Sequence, residues 1–360
     1  MKTSSRTKSL FTKESQPPAK PAFSSYDQGS SPSSYTSSYR PSHRSSSQWG
    51  RWLFIGFFII VIVGFAAVIL LGFIFLPFSF NIFNNYEYIG DNIFFLDDNL
   101  ANTSSSVELE IHNSVGSVDI EIIDTPELFE AHILTFAREG HDMQEANTFE
   151  VDEHDNNYFI FFDSSSGSGW ENPYYYDLEI IISNQVTTAL NIEVSTGSIS
   201  VNAQQTNLSS LFLDTSTGSI TADFQEVFFS TATSKDFTLH TSTGSITATF
   251  DNLLYASSEI EWMIETSTGS IDFDLFQETI NDNTLINYNV DTSTGSINFN
   301  YVLNSTIGLQ VYADVSTGNI YTPGYSTDEE YTYKSENYDS ASMKIYVLLG
   351  TSTGSINILD

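Results

Sequence analysis

Six chemistry-bearing side chains recur at one fixed place in a repeated string. Glu193, Asp214, His240, Glu265, Asp291 and Asp314 each stand four residues before a central glycine. If the copies stack in register, neighbours in this column lie about 4.8 Å apart. Two carboxylates at that distance repel by roughly 0.9 kcal/mol even in water. The five acids could therefore hold divalent cations weakly, calcium being the type of ion that takes oxygen ligands. The column could equally face solvent, and that is the simpler reading. Nothing in the chain matches an EF-hand or a glycine-rich calcium nonapeptide, so no resident cofactor is expected.

The other reactive residue types form no constellation. The six histidines (His43, His112, His132, His141, His154 and His240) contain no HExxH pair and no three-ligand cluster, and Asp152 to Asp155 reads as an acidic loop. The serines lack a nucleophile elbow, and Gly167-Ser-Gly169 has no following lysine to hold a phosphate. The absence of cysteine excludes a disulfide scaffold, thiolate zinc sites and a cysteine nucleophile. A polysaccharide-acting enzyme would set Lys or Arg against uronic carboxylates. Beyond residue 52 the chain has only Arg138, Lys235, Lys334 and Lys344, which are scattered. A non-enzyme is expected, with no catalytic residues. Aromatic runs offer binding chemistry instead: Tyr174-Tyr175-Tyr176 and the insertion from Tyr325 to Tyr338 could stack on a surface glycan or meet a protein ligand.

The elements that would position these residues follow from the repeat. The string Thr-Ser-Thr-Gly-Ser-Ile, or a close variant, is centred on Gly197, Gly218, Gly244, Gly269, Gly295, Gly318 and Gly354, with a degenerate copy at Gly116. Apolar residues or Thr occupy positions −7, −5 and −3 from the glycine, as in Leu211, Leu213 and Thr215. They also occupy +2, +4 and +6, as in Ile220, Ala222 and Phe224. Period-two alternation on both sides predicts two half-buried strands joined at a glycine corner. An antiparallel meander would make Thr-Gly a hairpin turn and put −3 opposite +2. That turn would force Thr to positive φ. An all-β solenoid of 21–26-residue repeats is favoured, because stacking identical coils explains why identical residues recur.

The chain resembles the putative-adhesin domains, membrane-anchored β-solenoid proteins of bacteria and archaea. The resemblance covers roughly residues 105–360. It is carried by Val107-Glu-Leu-Glu-Ile-His-Asn-Ser-Val-Gly-Ser-Val-Asp-Ile120, by Tyr176-Asp-Leu-Glu-Ile-Ile-Ile182 leading into Leu190-Asn-Ile-Glu-Val194, and by the Ser-Thr-Gly-Ser-Ile array. It implies surface exposure and no catalysis.

Charge and hydropathy set the topology. The formal charge of −33 hides a division: residues 1–52 hold eight basic residues and two acids, whereas the rest hold four basic residues and 43 acids. Between the two lies Leu53 to Phe80, without a charged residue and long enough for a membrane-spanning helix. Trp49 and Trp52 precede it, and Tyr86 and Tyr88 follow it, as interfacial aromatics do. The run is too long for a cleaved signal peptide. The positive-inside rule puts the N-terminus in the cytoplasm and the acidic part outside.

The expected organisation is a disordered Ser-rich basic tail (1–50), a transmembrane helix (51–80), a linker (81–104) and an extracellular solenoid domain (105–360). The acidic balance excludes nucleic acid as a partner. The expected partners are the membrane, a surface ligand, and a second copy through the C-terminal end of the solenoid, where an unpaired strand edge would otherwise be left open. The expected role is an adhesin-like binding or structural module. An envelope sensor signalling through the tail is the alternative, and a polysaccharide-acting enzyme the remote third.

Overall fold

The computed structural model describes residues 86–96, 106–138, 149–154, 157–164, 174–230, 237–322, 325–327 and 330–359. The expected tail (1–50) and membrane helix (51–80) lie outside the described residues, and no helix among the described residues is long and apolar enough to cross a membrane. What is described is all-β, with strands joined by parallel and antiparallel pairs into one 23-stranded sheet.

Each regular copy supplies a strand ending on the threonine before the glycine and another starting on the isoleucine after it. Examples are Asn207–Thr217 with Ile220–Gln225, and Phe237–Thr243 with Ile246–Asp251. Burial alternates along both members, so Phe237, Leu239 and Thr241, then Ile246, Ala248 and Phe250, all point inward. The partners of each strand are the equivalent strands of neighbouring copies. Leu211, Leu213 and Thr215 pair in parallel with Leu190, Ile192 and Val194 on one side and with Phe237, Leu239 and Thr241 on the other. Ile220, Ala222 and Phe224 do the same with Ile199, Val201 and Ala203, and with Ile246, Ala248 and Phe250. With both edges of each strand occupied in this way, Thr215 has no edge left for the hairpin partner that a meander requires.

The corner between the two strands explains the motif residue by residue. Gly218 has φ +153°, and a Cβ there would lie 1.8 Å from the carbonyl oxygen of Gly197. The buried Thr215 hydroxyl donates to that same oxygen at 2.9 Å, and Thr241 does so to Gly218. The Gly218 amide donates to Thr243 O at 2.9 Å. The serine after the glycine also hands its hydroxyl along the stack, Ser198 Oγ accepting from Ser219 N–H at 3.4 Å and Ser219 Oγ from Ser245 N–H at 3.3 Å.

Inside, aromatic rings fill the wider section. Trp262 lies 4.4 Å from Phe250 and 5.0 Å from Phe237, centroid to centroid. Its Nε1–H donates to Tyr255 Oη at 3.1 Å, so the polar end of the indole is satisfied in the core. A third, short ladder runs through Asn207–Leu208, Phe228–Phe229 and Leu254–Tyr255.

Two features depart from the expected order. Met343–Leu359 pairs in parallel with Thr284–Thr294 and Ile297–Leu303 on one side and with Gly308–Thr322 on the other, so the last copy is inserted between the two that precede it in the chain. Any strand carrying this motif matches any other in register, so sequence order does not dictate stacking order. The insertion leaves the outer edge of Gly308–Thr322 to two antiparallel strands, Tyr325–Thr327 and Glu330–Lys334. At the opposite end, Ser106–Val115 likewise lies between Asn157–Asp163 and Thr187–Thr196.

The segment 81–104 is not simply a linker. It contains the strand Tyr86–Leu96, antiparallel to Phe129–Arg138. A bulge between Tyr88 and Gly90 breaks the alternation that would have marked it as a strand, and Phe94 and Leu96 pack on the core beyond the bulge. Residues 152–154, expected in a loop, belong to the exposed strand Glu150–His154, which is held by backbone pairing to Asn157–Asp163.

Gly218→Ala should cost about 3 kcal/mol or more, because backbone rather than a movable side chain blocks the new methyl. The exposed Ser216→Ala should stay within about 0.5 kcal/mol of wild type. Denaturant midpoints of the two variants check this, and equal losses would contradict it. Replacing residues 325–334 by a short Gly-Ser connection should uncover the edge of Gly308–Thr322 and give concentration-dependent association in sedimentation. A strict monomer at every concentration would show that these strands do not act as a cap.

Candidate functional site

Two places gather side chains with binding chemistry: the column four residues before the glycines, and a cleft beside the corner at Gly197.

The column is in register, and it is longer and differently ordered than the sequence suggested. From one end it runs Asp163, His112, Glu193, Asp214, His240, Glu265, Asp291, Gly350, Asp314. His112 belongs to the degenerate copy at Gly116 and was hidden by that degeneracy. Gly350 separates Asp291 from Asp314, so the two are not neighbours. Asp291 leans over the gap, its Oδ1 lying 2.5 Å from where a Cβ on Gly350 would stand. Losing part of its water shell there pushes its carboxyl above the ordinary carboxylate range, and a hydrogen bond from the Thr292 backbone works the other way.

Imidazoles relieve part of the repulsion. His112 Nε2 pairs with Glu110 Oε1 at 2.7 Å and its Nδ1 with Glu193 Oε2 at 3.2 Å. His240 Nδ1 pairs with Asp214 Oδ1. Among the described residues, no group of three or more His, Cys, Asp or Glu is placed to hold a metal ion. A linear column offers each gap at most two flanking carboxylates, as between Glu193 and Asp214 or Glu265 and Asp291, short of the six to eight oxygens that calcium takes.

The cleft is built by three neighbouring strands, Tyr86–Leu96, Phe129–Arg138 and Tyr174–Ser183, together with the corner at Thr196 and Gly197. Antiparallel register sets Tyr88 opposite Phe136 and Phe136 opposite Tyr175, so these rings share the outward face. Tyr174 and Tyr176 point into the core, and of the tyrosine triplet only Tyr175 reaches the surface. The cleft has a volume of about 530 Å³ and is lined by Tyr86, Phe136, Tyr175, Asp177, Thr196 and Gly197. Phe136 and Tyr175 stand 5.3 Å apart at 80°, and Tyr86 and Tyr175 6.3 Å apart at 52°. Asp177 Oδ1 accepts the Ser117 amide at 2.9 Å, which fixes the carboxylate in the floor. Partial burial, then the Asp177 charge, push the Tyr175 phenol up to about 12, so it stays a neutral donor at physiological pH. The Arg138 guanidinium lies 5.4 Å from the centre of the Tyr86 ring.

Sequence reasoning singled out Tyr175 within its triplet and Tyr86 as an aromatic beyond the apolar run, but it missed Phe136 and Asp177. The alternation along Tyr174–Ser183 was the available signal for Asp177, which shares a face with Tyr175. Nothing in the sequence announced the neighbouring strand that brings Phe136.

No protein-family model matches the chain, and no curated protein matches it. Solved structures similar to it include a putative cell adhesion protein from Clostridium sporogenes, 14% identical with a TM-score of 0.33, covering 75% of this chain and 98% of its own. Another is a putative adhesin from Bacteroides fragilis, 12% identical with a TM-score of 0.31, covering 75% and 96%. A putative adhesin from Parabacteroides distasonis is 10% identical with a TM-score of 0.26, covering 74% and 96%.

Partial burial disfavours the charged form of His112, but the hydrogen bond it donates to Glu110 and the charges of Glu193 and Glu110 outweigh it and raise its pKa. A raised folded value makes the pair's contribution complete below about pH 6.5, the unfolded value, and lost as pH rises through the folded one. His112→Gln should therefore lose more stability at pH 5.5 than at pH 8.5 in denaturant titrations. Equal losses at the two pH values would mean that the imidazolium adds nothing.

Proposed function

We propose that the chain is a single-pass membrane-anchored surface protein whose outer part, residues 105–360, is a β-solenoid acting as an adhesin-like binding and structural module. The observation that carries this reading is the in-register parallel pairing of equivalent residues from one copy to the next. A copy cannot bury its apolar face alone, but stacked copies share a continuous core, and the product is a stiff element with regular faces. Such an element holds a surface feature at a fixed distance from its anchor. The charge split around residues 53–80 supports the anchor and its orientation, with eight basic residues before it and 43 acids after it. The acidic, Ser- and Thr-rich exterior suits a surface that stays soluble and selective in what it touches.

The chain contains no cysteine, which makes orientation directly testable. Ser267→Cys, on an exposed corner, should react with a membrane-impermeant maleimide on intact cells. Ser24→Cys, in the basic tail, should react only after lysis. Labelling of Ser24→Cys on intact cells, or protection of Ser267→Cys, would overturn the proposed orientation.

A further inference from the structure

We infer that the cleft lined by Tyr86, Phe136, Tyr175 and Asp177 binds a small zwitterion, taking its quaternary ammonium group among the rings and its anionic group beside Arg138. This rests on the reading of the outer part as a binding module and names the ligand chemistry of one site on it.

The ring geometry is the first argument. A sugar ring stacks on one open aromatic face, whereas Tyr86, Phe136 and Tyr175 stand steeply to one another, at 52° and 80°. Phe136 meets Tyr175 edge to face and Tyr86 is tilted against it, so the rings line a concave cleft and offer no single flat face. An aromatic-lined cleft with a carboxylate in it suits a bulky cation that makes no hydrogen bonds, because such a cation loses little on leaving water. Asp177 adds a fixed negative charge to the same cleft, its carboxylate held by the Ser117 amide. The Tyr175 phenol remains neutral and does not compete as a charge.

Charge complementarity is the second argument. Beyond residue 52 the chain carries 43 acids and four basic residues, so its field draws cations and repels simple anions. Arg138 is the exception beside the cleft, where it already lies over the Tyr86 ring. A lone cation would meet its repulsion. A molecule carrying both charges turns the same guanidinium into a partner for its phosphate or carboxylate. The 530 Å³ of the cleft accommodates a group of this size.

The test is calorimetric titration of the full chain in a sugar-headed detergent, with phosphocholine, choline chloride and 3,3-dimethylbutanol as probes. The last has the shape of choline without its charge. Phosphocholine should bind most tightly, choline more weakly, and the neutral isostere least. Tyr175→Leu should weaken phosphocholine binding about tenfold or more, and Tyr175→Phe, which keeps the ring, should change it less than about threefold. Arg138→Gln should weaken phosphocholine binding while leaving choline binding equal or tighter, so that the preference for phosphocholine is lost, a pattern that unfolding does not produce.

A choline-type headgroup in the bilayer and a free small molecule are distinguished by repeating the titration in nanodiscs. Loss of phosphocholine binding in phosphatidylcholine but not phosphatidylglycerol discs identifies the lipid as the occupant, and binding in both identifies a free ligand. The inference is overturned if neither charged probe binds, if the isostere binds as well as choline, or if Tyr175→Leu binds like wild type. Any of these would leave the cysteine-labelling result standing, so failure of the site is separable from failure of the surface reading.

Discussion

The close approach of one glycine to the next is the constraint on which the rest of the molecule depends. Eight glycines, in the spatial order 116, 197, 218, 244, 269, 295, 354 and 318, lie in one column, and each after the first has the preceding glycine's carbonyl where a side chain would begin. The first meets the carbonyl of Tyr176 instead, and Asn113 Nδ2 donates to that oxygen at 3.0 Å. Because the backbones touch at this corner, the flanking strands are held in a common register on both sides. Register then lines up the inward apolar residues, the core aromatics and the outward column of charge. The motif is short because the corner is the one place where several atoms must be right at once.

The hydrogen bonds at the corner make the stack directional. Each buried threonine hydroxyl reaches the glycine carbonyl of its neighbour, from Thr215 to Gly197 through to Thr351 to Gly295. A neutral bond of this kind contributes only about 1 kcal/mol net, but an unpaired carbonyl in the same place would cost its full desolvation. The outward column obeys the same register with opposite consequences. There, in-register stacking concentrates like charge, and His112 and His240 interrupt it where they pair with Glu110, Glu193 and Asp214.

Much of the strand pairing was legible in the sequence, because residues at equal distances from the glycines are paired. Leu211 beside Phe237 and Ile220 beside Ile246 are predictable from their positions relative to the glycine. Three things were not legible, each for a physical reason. The bulge at Gly90 shifts the alternation of Tyr86–Leu96, which made a strand look like a linker. The cleft gathers residues from three antiparallel strands and from the corner at Gly197, and such long-range neighbours leave no local pattern. The stacking order at the far end was also hidden, because a register shared by every copy carries no information about which copy lies beside which.

That last point bears on how the molecule assembles. The strand Met343–Leu359 follows both walls of the slot it fills in the chain, and the two walls carry matching registers that could pair with each other directly. Direct closure of that slot would be a trap. The copy at Gly318 carries Val315, as the copy at Gly197 carries Val194, where the copies at Gly218, Gly244, Gly269, Gly295 and Gly354 place the bonding threonine, and so it has no hydroxyl to offer the carbonyl of Gly295. Thr351, on the strand that arrives later, supplies that hydroxyl at 3.1 Å. A single methyl in place of a hydroxyl thus weakens the premature partner relative to the correct one and biases the gap to stay open until its own strand enters.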